Sequence, residues 1–243
     1  MRIKTRRYYI YYVARVCIFL IYLLPIRFAS KLADLLGKLG YDVLEKAKRE
    51  ALGNLRAAFK DKSDKEIRKI AKGAFSNVAR SIAEYINISK INKKNIDSWV
   101  RPHGLEKVDK ALALGKGAIV LTAHLGNWEF VGAYLRARGY EGAVIARRIY
   151  FYKYNDYLIS LRSIHDVTTL YRDRSPKEAL RLLRENKILG MLADQDIDSI
   201  DGIFVNFFGR QTYTPTAPVK IAMVNGTPMI PCYMIRKKDK YDF

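Results

Sequence analysis

The first apolar run of the chain is also its longest. From Tyr8 to Leu24 the residues read YYIYYVARVCIFLIYLL, with Arg15 as the single charge, and Pro25 stops the run. At ~1.5 Å per helical residue it reaches roughly 25 Å, just short of the hydrocarbon core of a bilayer. From there to about residue 98 apolar positions recur every three or four residues with charges between them. Two stretches carry this pattern, FASKLADLLGKLGYDVLEKAKREALGNLRAAF and DKSDKEIRKIAKGAFSNVARSIAEYINI. Both predict amphipathic helices, the second capped by Ser63 or Asp64.

After Trp99 short apolar runs alternate with helical stretches. GAIVLTA (117–123), GAVIA (142–146), VTTLY (167–171), ILGMLA (188–193) and TPMIPCYMI (227–235) predict five buried strands. Helices are predicted from the first strand to about Arg138, over SPKEALRLLREN with Ser175 as N-cap and Pro176 at its first position, and near APVKIAMVNG. Apolar strands alternating with helices imply an α/β fold with a largely parallel central sheet and flanking helices. The expected organisation is an N-terminal membrane helix over 1–30, a helical segment over 31–100 and an α/β domain over 101–243. No internal repeat or low-complexity linker interrupts it.

The first run admits four readings. It spans a membrane, lies in the interface with its tyrosines and flanking cations, packs as a core helix, or serves as a signal peptide. PIRFASK is a poor cleavage site, and Arg15 near the middle opposes a simple span unless its side chain snorkels. The preceding MRIKTRR favours an N-terminus on the cytoplasmic face.

Charge narrows the partners. Lys and Arg number 44 against 24 Asp and Glu, a formal net charge of +20. Such a surplus calls for an acidic protein, an anionic membrane or nucleic acid. The cations are scattered and carry no recognised nucleic-acid motif, so nucleic acid is set aside. Two cysteines, Cys17 and Cys232, imply no disulfide framework. Three histidines without HExxH or CxxC spacing argue against a metal enzyme.

In parallel sheets ligands bind beyond the carboxyl ends of the strands. His124 follows the first strand, Arg147 and Arg148 the second, Arg172, Asp173 and Arg174 the third, and Asp194, Gln195 and Asp196 the fourth. One histidine, several cations and a few carboxylates on one edge suit an anionic substrate and general-base chemistry. In HLGNWE, Gly126 permits a tight turn, Asn127 is a natural N-cap, and Glu129 falls in the first helical turn. The turn is short enough for Glu129 to fold back, fix the imidazole tautomer and stabilise the imidazolium. An imidazole, with an ordinary pKa near ~6.5, is matched to taking a hydroxyl proton at neutral pH. No GxSxG-like nucleophile is visible, so the substrate hydroxyl would attack directly, with Arg147 or backbone N–H groups facing the oxyanion. Taken alone, His124 as a capping residue fits the spacing at least as well.

GKGAIVLTAHLGNWE resembles the bacterial lipid A late acyltransferase family. So, in order, do VIARR with Arg147, LRSIHDVTTLYRD with Arg162, LGMLADQD followed by GIFVNFFGRQTYTPTAPVKIA, and GTPMIP. The resemblance implies a glycerolipid-acyltransferase-like fold held at the cytoplasmic face of the inner membrane. It implies transfer of a fatty acyl group from acyl carrier protein to a hydroxyl of a lipid A precursor or similar glycolipid, with no bound cofactor and no metal. His124 would be the base and Glu129 its orienter, with Arg147, Arg162 and Asp194 as substrate-binding residues. A phosphoinositide mannoside acceptor, or a non-catalytic basic membrane-binding paralogue, are the alternatives. Two departures stand out: Arg148 occupies a place where the family often has proline, and the chain ends at Phe243, where further strand and helix are expected. Phe207, Phe208 and Gly209 fit either an acyl groove or core packing; His103 and His165 receive no role.

Overall fold

The computed structural model describes residues 2–172, 176–195, 200–238 and 240–243. The chain forms two compact units, one from its beginning to Lys90 with Asn206–Gln211, the other comprising Ile91–Val205 and Thr212–Phe243. Of the expected features, Asp173, Arg174, Ser175 and Asp196 lie outside the described residues.

The first unit is built on α1 (Arg2–Leu23), α2 (Ile26–Val43), α3 (Glu45–Ala58) and α4 (Asp64–Ile86). Pro25 separates α1 from α2. The Lys90 ammonium closes the end of α1, donating to the carbonyls of Tyr22 and of Leu24, the latter at 2.8 Å. The predicted cap of α4 forms as a full capping box between Ser63 and Glu66.

Helices α2 and α4 meet through small residues. A Cβ on Gly37 would lie 2.7 Å from the Phe75 carbonyl oxygen and from the Ser76 Cα. Polar groups also pair across this contact: Ser30 Oγ donates to Glu84 at 2.8 Å and accepts from Arg80 Nε at 3.0 Å. Tyr41, Leu52, Ile67 and Ala71 form the apolar centre between α2, α3 and α4.

The membrane helix expected over 1–30 is not supported. Helix α1 forms, but among the described residues no helix is long and apolar enough to cross a membrane. Tyr8, Tyr9, Tyr11, Tyr12 and Tyr22 dilute the aliphatic residues, and Arg6, Arg7 and Arg15 add charge within its 22 residues. Its apolar side chains are nevertheless exposed, among them Ile10, Val13, Val16, Phe19 and Leu23, and α2 exposes Phe28, Leu32, Leu35, Leu36 and Leu39. Phe207 and Phe208 are also exposed, so they are not the core aromatics considered above. They sit at the turn of a hairpin in which Phe208 and Gly209 both have positive φ.

The second unit continues with α5 (Ile96–Trp99), β1 (Val100–Arg101), α6 (Glu106–Leu112), β2 (Ala118–Thr122), α7 (Trp128–Ala137), β3 (Gly142–Ala146), α8 (Tyr152–Ser163), β4 (Thr168–Tyr171), α9 (Pro176–Arg184) and β5 (Ile188–Leu192). The hairpin strands β6 (Gly202–Phe207) and β7 (Arg210–Pro215) follow, their tip Asn206–Gln211 being counted with the first unit, then α10 (Ala217–Asn225), β8 (Met229–Pro231), β9 (Ile235–Lys237) and β10 (Lys240–Asp242). The five predicted strands form one parallel sheet in the order β4-β3-β5-β2-β8. Parallel neighbours need crossovers, and the helices that supply them cover both faces. On one face Ile119, Leu189 and Met191 pack with Ala179 and Leu183 of α9 and Ala222 of α10. On the other α7 comes close enough that a Cβ on Gly132 would touch Val167 at 3.4 Å and Val144 at 3.9 Å.

Two local readings change. The run 227–235 is split: β8 ends at Pro231, and the Cys232 N–H makes the last bond to β2, to the Leu121 carbonyl at 2.9 Å, before the chain turns away. It re-forms as β9, which pairs with β10, and β10 with β1, in a small separate sheet. Helix α8 was not anticipated, since tyrosines and polar residues alternate there without an apolar face at helical spacing.

The α2–α4 contact yields a test of sign. Gly37→Ala gains helix propensity but meets backbone, so a net loss of about 1–3 kcal/mol is expected in urea denaturation. Gly53→Ala in α3, where a Cβ meets nothing within 4 Å, is expected to gain about 0.5–1 kcal/mol in the same measurement.

Candidate active site

Strand register places the site. The last paired residues of β2 and β5 are Thr122 and Leu192, so His124 and Asp194 each stand two residues beyond the end of neighbouring parallel strands. The Asp194 carboxylate accepts twice from His124: Oδ2 from the backbone N–H at 2.7 Å, and Oδ1 from Nδ1 at 2.9 Å. An ionised carboxylate only accepts, so a neutral imidazole in this contact carries its proton on Nδ1 and leaves the Nε2 lone pair open. The His124 ring rests against Trp128, 5.0 Å between centroids. Both partners remain about one-third exposed, His124 at 37% and Asp194 at 34% of their side-chain surface.

Glu129 takes a different partner from the one its spacing suggested. Its carboxylate receives a two-pronged contact from Arg162, Nη2 to Oε1 at 2.6 Å and Nε to Oε2 at 2.9 Å. The pair is nearly enclosed, at 10% exposure for Arg162 and 17% for Glu129. Glu129 occupies the first turn of α7 and Arg162 the last turn of α8, where both helix dipoles favour the respective charge. Arg162 Nη1 also reaches Thr169 Oγ1 on β4 at 3.4 Å. The expected His124–Glu129 contact is absent among the described residues: two fixed prongs of a guanidinium outcompete one imidazole N–H, and Asp194 lies closer to Nδ1.

The turn between these side chains is clamped from below. Gly126 has φ +65° and bridges to Met234, and the Asn127 N–H donates to the Met234 carbonyl at 2.9 Å. A Cβ on Gly126 would lie 1.9 Å from that carbonyl oxygen. Asn127 is at the N-cap position as expected, but its side chain does not cap α7. It is buried and points Nδ2 to Tyr241 Oη at 3.3 Å, with the Arg236 guanidinium over the Tyr241 ring. Nothing local in the sequence announces Tyr241 or Arg236.

Arg147 is exposed at the end of β3 and has no hydrogen-bond or ion-pair partner among the described residues. Arg148, where proline was the alternative, stacks on Tyr171 with its guanidinium carbon 4.2 Å from the ring centroid. Strands β3 and β5 stop pairing after Val144–Gly190, while β3 and β4 continue to Ala146–Tyr171. A cavity of about 140 Å³ opens at this parting, apolar apart from Arg172 and Gln195 at its edge and lined by Ile145, Met191, Ala193 and Ile221 among others.

Burial pushes the Cys232 thiol up to about 11, so it is protonated at neutral pH and unsuited to attack. No group of three or more potential metal ligands occurs among the described residues. The arrangement can take a proton at Nε2 of a neutral imidazole from a hydroxyl approaching the sheet edge, on the edge where Arg147 and the apolar cavity lie.

The sequence model for bacterial lipid A biosynthesis acyltransferase matches residues 1–243. The phosphatidylinositol mannoside acyltransferase of Mycobacterium tuberculosis is 32% identical over 135 residues, covering 54% of this chain and 42% of that protein. Its counterpart in Mycolicibacterium smegmatis is 23% identical over 169 residues, covering 68% and 55%. The lipid A biosynthesis acyltransferase of Haemophilus influenzae is 26% identical over 227 residues, covering 86% and 67%. The chain thus spans about half the length of the mycobacterial relatives it matches.

Two outcomes follow from the clamp and the thiol. Gly126→Ala adds a steric clash to left-handed strain, and a loss of about 2–4 kcal/mol is expected in urea denaturation. Gly139→Ala, at φ +92° with no neighbour within 4 Å, carries the strain alone, about 1–2 kcal/mol. For the cysteines, iodoacetamide at pH 8 is expected to alkylate exposed Cys17 and spare Cys232 until the pH rises toward its folded value of about 11. Because the thiolate is disfavoured only in the folded chain, the corresponding stability is intact below the ordinary 9.0 and falls as pH climbs through that interval. Mass mapping of labelled peptides at stepped pH reads this directly.

Proposed function

The chain belongs to the bacterial lipid A biosynthesis acyltransferase family, and from that premise we propose that it transfers a fatty acyl group from the thioester of acyl carrier protein to a hydroxyl of a glycolipid. The observation that carries the reading is the Asp194-held imidazole of His124, whose Nε2 lone pair stands at the sheet edge. Nε2 takes the acceptor hydroxyl proton as the oxygen attacks the thioester carbonyl. Collapse of the tetrahedral intermediate breaks the carbon–sulfur bond, and the imidazolium returns its proton to the departing thiolate. The products are an ester and the carrier thiol, with His124 neutral again.

The other side chains divide the remaining work. Asp194 orients the ring and stabilises the imidazolium, as the carboxylate of a hydrolytic triad does. Glu129 and Arg162 act as a brace between α7 and α8 that keeps the His124 turn in place. Arg147, exposed and unpaired among the described residues, meets the oxyanion or a substrate phosphate. The net charge of +20 suits an acidic carrier protein and a phosphorylated acceptor at the cytoplasmic face of the inner membrane. The exposed apolar row of α2 suits a helix lying in the interface of an anionic bilayer. Two acceptor classes are supported by names among the relatives, a lipid A precursor and a phosphatidylinositol mannoside.

The test is acyl transfer from acyl carrier protein to each acceptor by the purified protein. His124→Ala is expected to lose about 10²–10⁴ of kcat. Asp194→Asn is expected to lower kcat about a hundredfold or more with little change in KM. Glu129→Gln is expected chiefly to lower stability, by about 2 kcal/mol, because it strands a nearly enclosed guanidinium. A wild type no more active than His124→Ala would defeat the enzyme reading. Full activity in Asp194→Asn, with none in a folded Glu129→Gln, would hand the orienting role back to Glu129.

A further inference from the structure

The loop that carries Arg147 is fastened by a buried amide outside the reaction. Asn155, in the first turn of α8, is 7% exposed. Its Oδ1 accepts from the Ile149 N–H at 3.1 Å, and its Nδ2 donates to Tyr171 Oη at 2.7 Å. Ile149 lies two residues after Arg147 in a segment without regular structure between β3 and α8. Tyr171 is the last residue of β4, and its ring carries the Arg148 guanidinium. One side chain therefore ties the loop backbone and the platform of the second arginine to the same point. Arg148 lies four residues past Val144, as Asp194 lies four past Gly190 and His124 four past Val120, so all three follow the same end of the sheet.

Resting on the acyl-transfer reading above for its substrates, we propose that Asn155 is a positioning residue that presents Arg147 and Arg148 as a paired cation site for a substrate phosphate. Two consecutive arginines follow the end of a parallel strand, Arg148 stacked flat on Tyr171 and Arg147 without a partner among the described residues, and together they offer a phosphate two forked donors. A buried amide is costly unless both its ends are satisfied, and here both satisfactions fall on this one loop and its platform. The phosphate comes either from the acceptor lipid or from the prosthetic arm of the carrier-bound donor.

The variants are Asn155→Leu, which removes both bonds at similar volume, and Tyr171→Phe, which keeps the ring under Arg148 and removes only the hydroxyl. Two readouts are used on the full chain. Steady-state transfer is expected to show KM raised about tenfold for one substrate in Asn155→Leu and less in Tyr171→Phe, with kcat within about twofold. The substrate whose KM moves is the one supplying the phosphate. Fluorescence binding of dioctanoyl phosphatidic acid is expected to weaken in parallel, with dioctanoylglycerol unaffected. Unchanged KM for both substrates and unchanged phosphatidic acid binding, with only a lower melting temperature, would overturn the proposal. So would a fall in kcat alone. If Asn155→Leu does not fold, Tyr171→Phe decides by the same criteria. If the wild type transfers no acyl group, the activity reading fails by itself, and the phosphatidic acid comparison still decides for or against the cation site.

Discussion

The close approach of two backbones at Gly126 and Met234 governs the carboxyl edge of the sheet. A left-handed glycine lets the chain turn directly over the Met234 carbonyl, and the next N–H bonds to it. That leaves no slack in the six residues from His124 to Glu129. The histidine is set before the turn and the glutamate after it, so the two side chains leave in different directions. Asn127 gives up its capping duty to anchor the turn on Tyr241, which extends the clamp into the small second sheet. The split of the last predicted strand follows from the same requirement, because the chain must leave the sheet for Met234 to reach beneath the turn.

With the turn fixed, two carboxylates acquire separate tasks through their surroundings. Glu129 is nearly enclosed, and its charge is tolerable only because Arg162 matches it with two hydrogen bonds and both helix termini favour the signs. Asp194 is open enough to stay hydrated, yet it grips one residue through both backbone and ring. The enclosed pair suits rigidity, and the open pair suits a charge that changes during a reaction.

Much of the architecture was legible in the sequence. The five sheet strands were visible because strands buried on both faces read as short, continuous apolar runs. Ser63 announced the start of α4, and Pro176 occupies the first position of α9, because those positions have local chemical demands. His124, Arg147 and Asp194 stood out because each follows a strand on the edge where ligands gather. What could not be read was pairing. H-x4-E spacing suggests that His124 and Glu129 meet, whereas the competition from Asp194, 70 residues away, and from Arg162, 33 residues away, is set by strand order. Helix α8 escaped notice because it is stabilised by contacts at its ends, through Asn155 and Arg162, rather than by an apolar stripe. The N-terminal run misled in another way: tyrosines count as apolar in a pattern but lack the hydropathy of aliphatic residues.

Strand β5 enters the sheet last among its inner members, yet it lies between β3 and β2 and separates the strands that precede it. The His124–Asp194 contact therefore requires a segment 70 residues further along the chain to lie in the middle of the sheet. Contacts of such sequence separation carry a loop-closure entropy that local contacts do not. A chain in which β5 is not seated beside β2 lacks both bonds from His124 to Asp194, so this one pair of residues reports whether the centre of the sheet is in register.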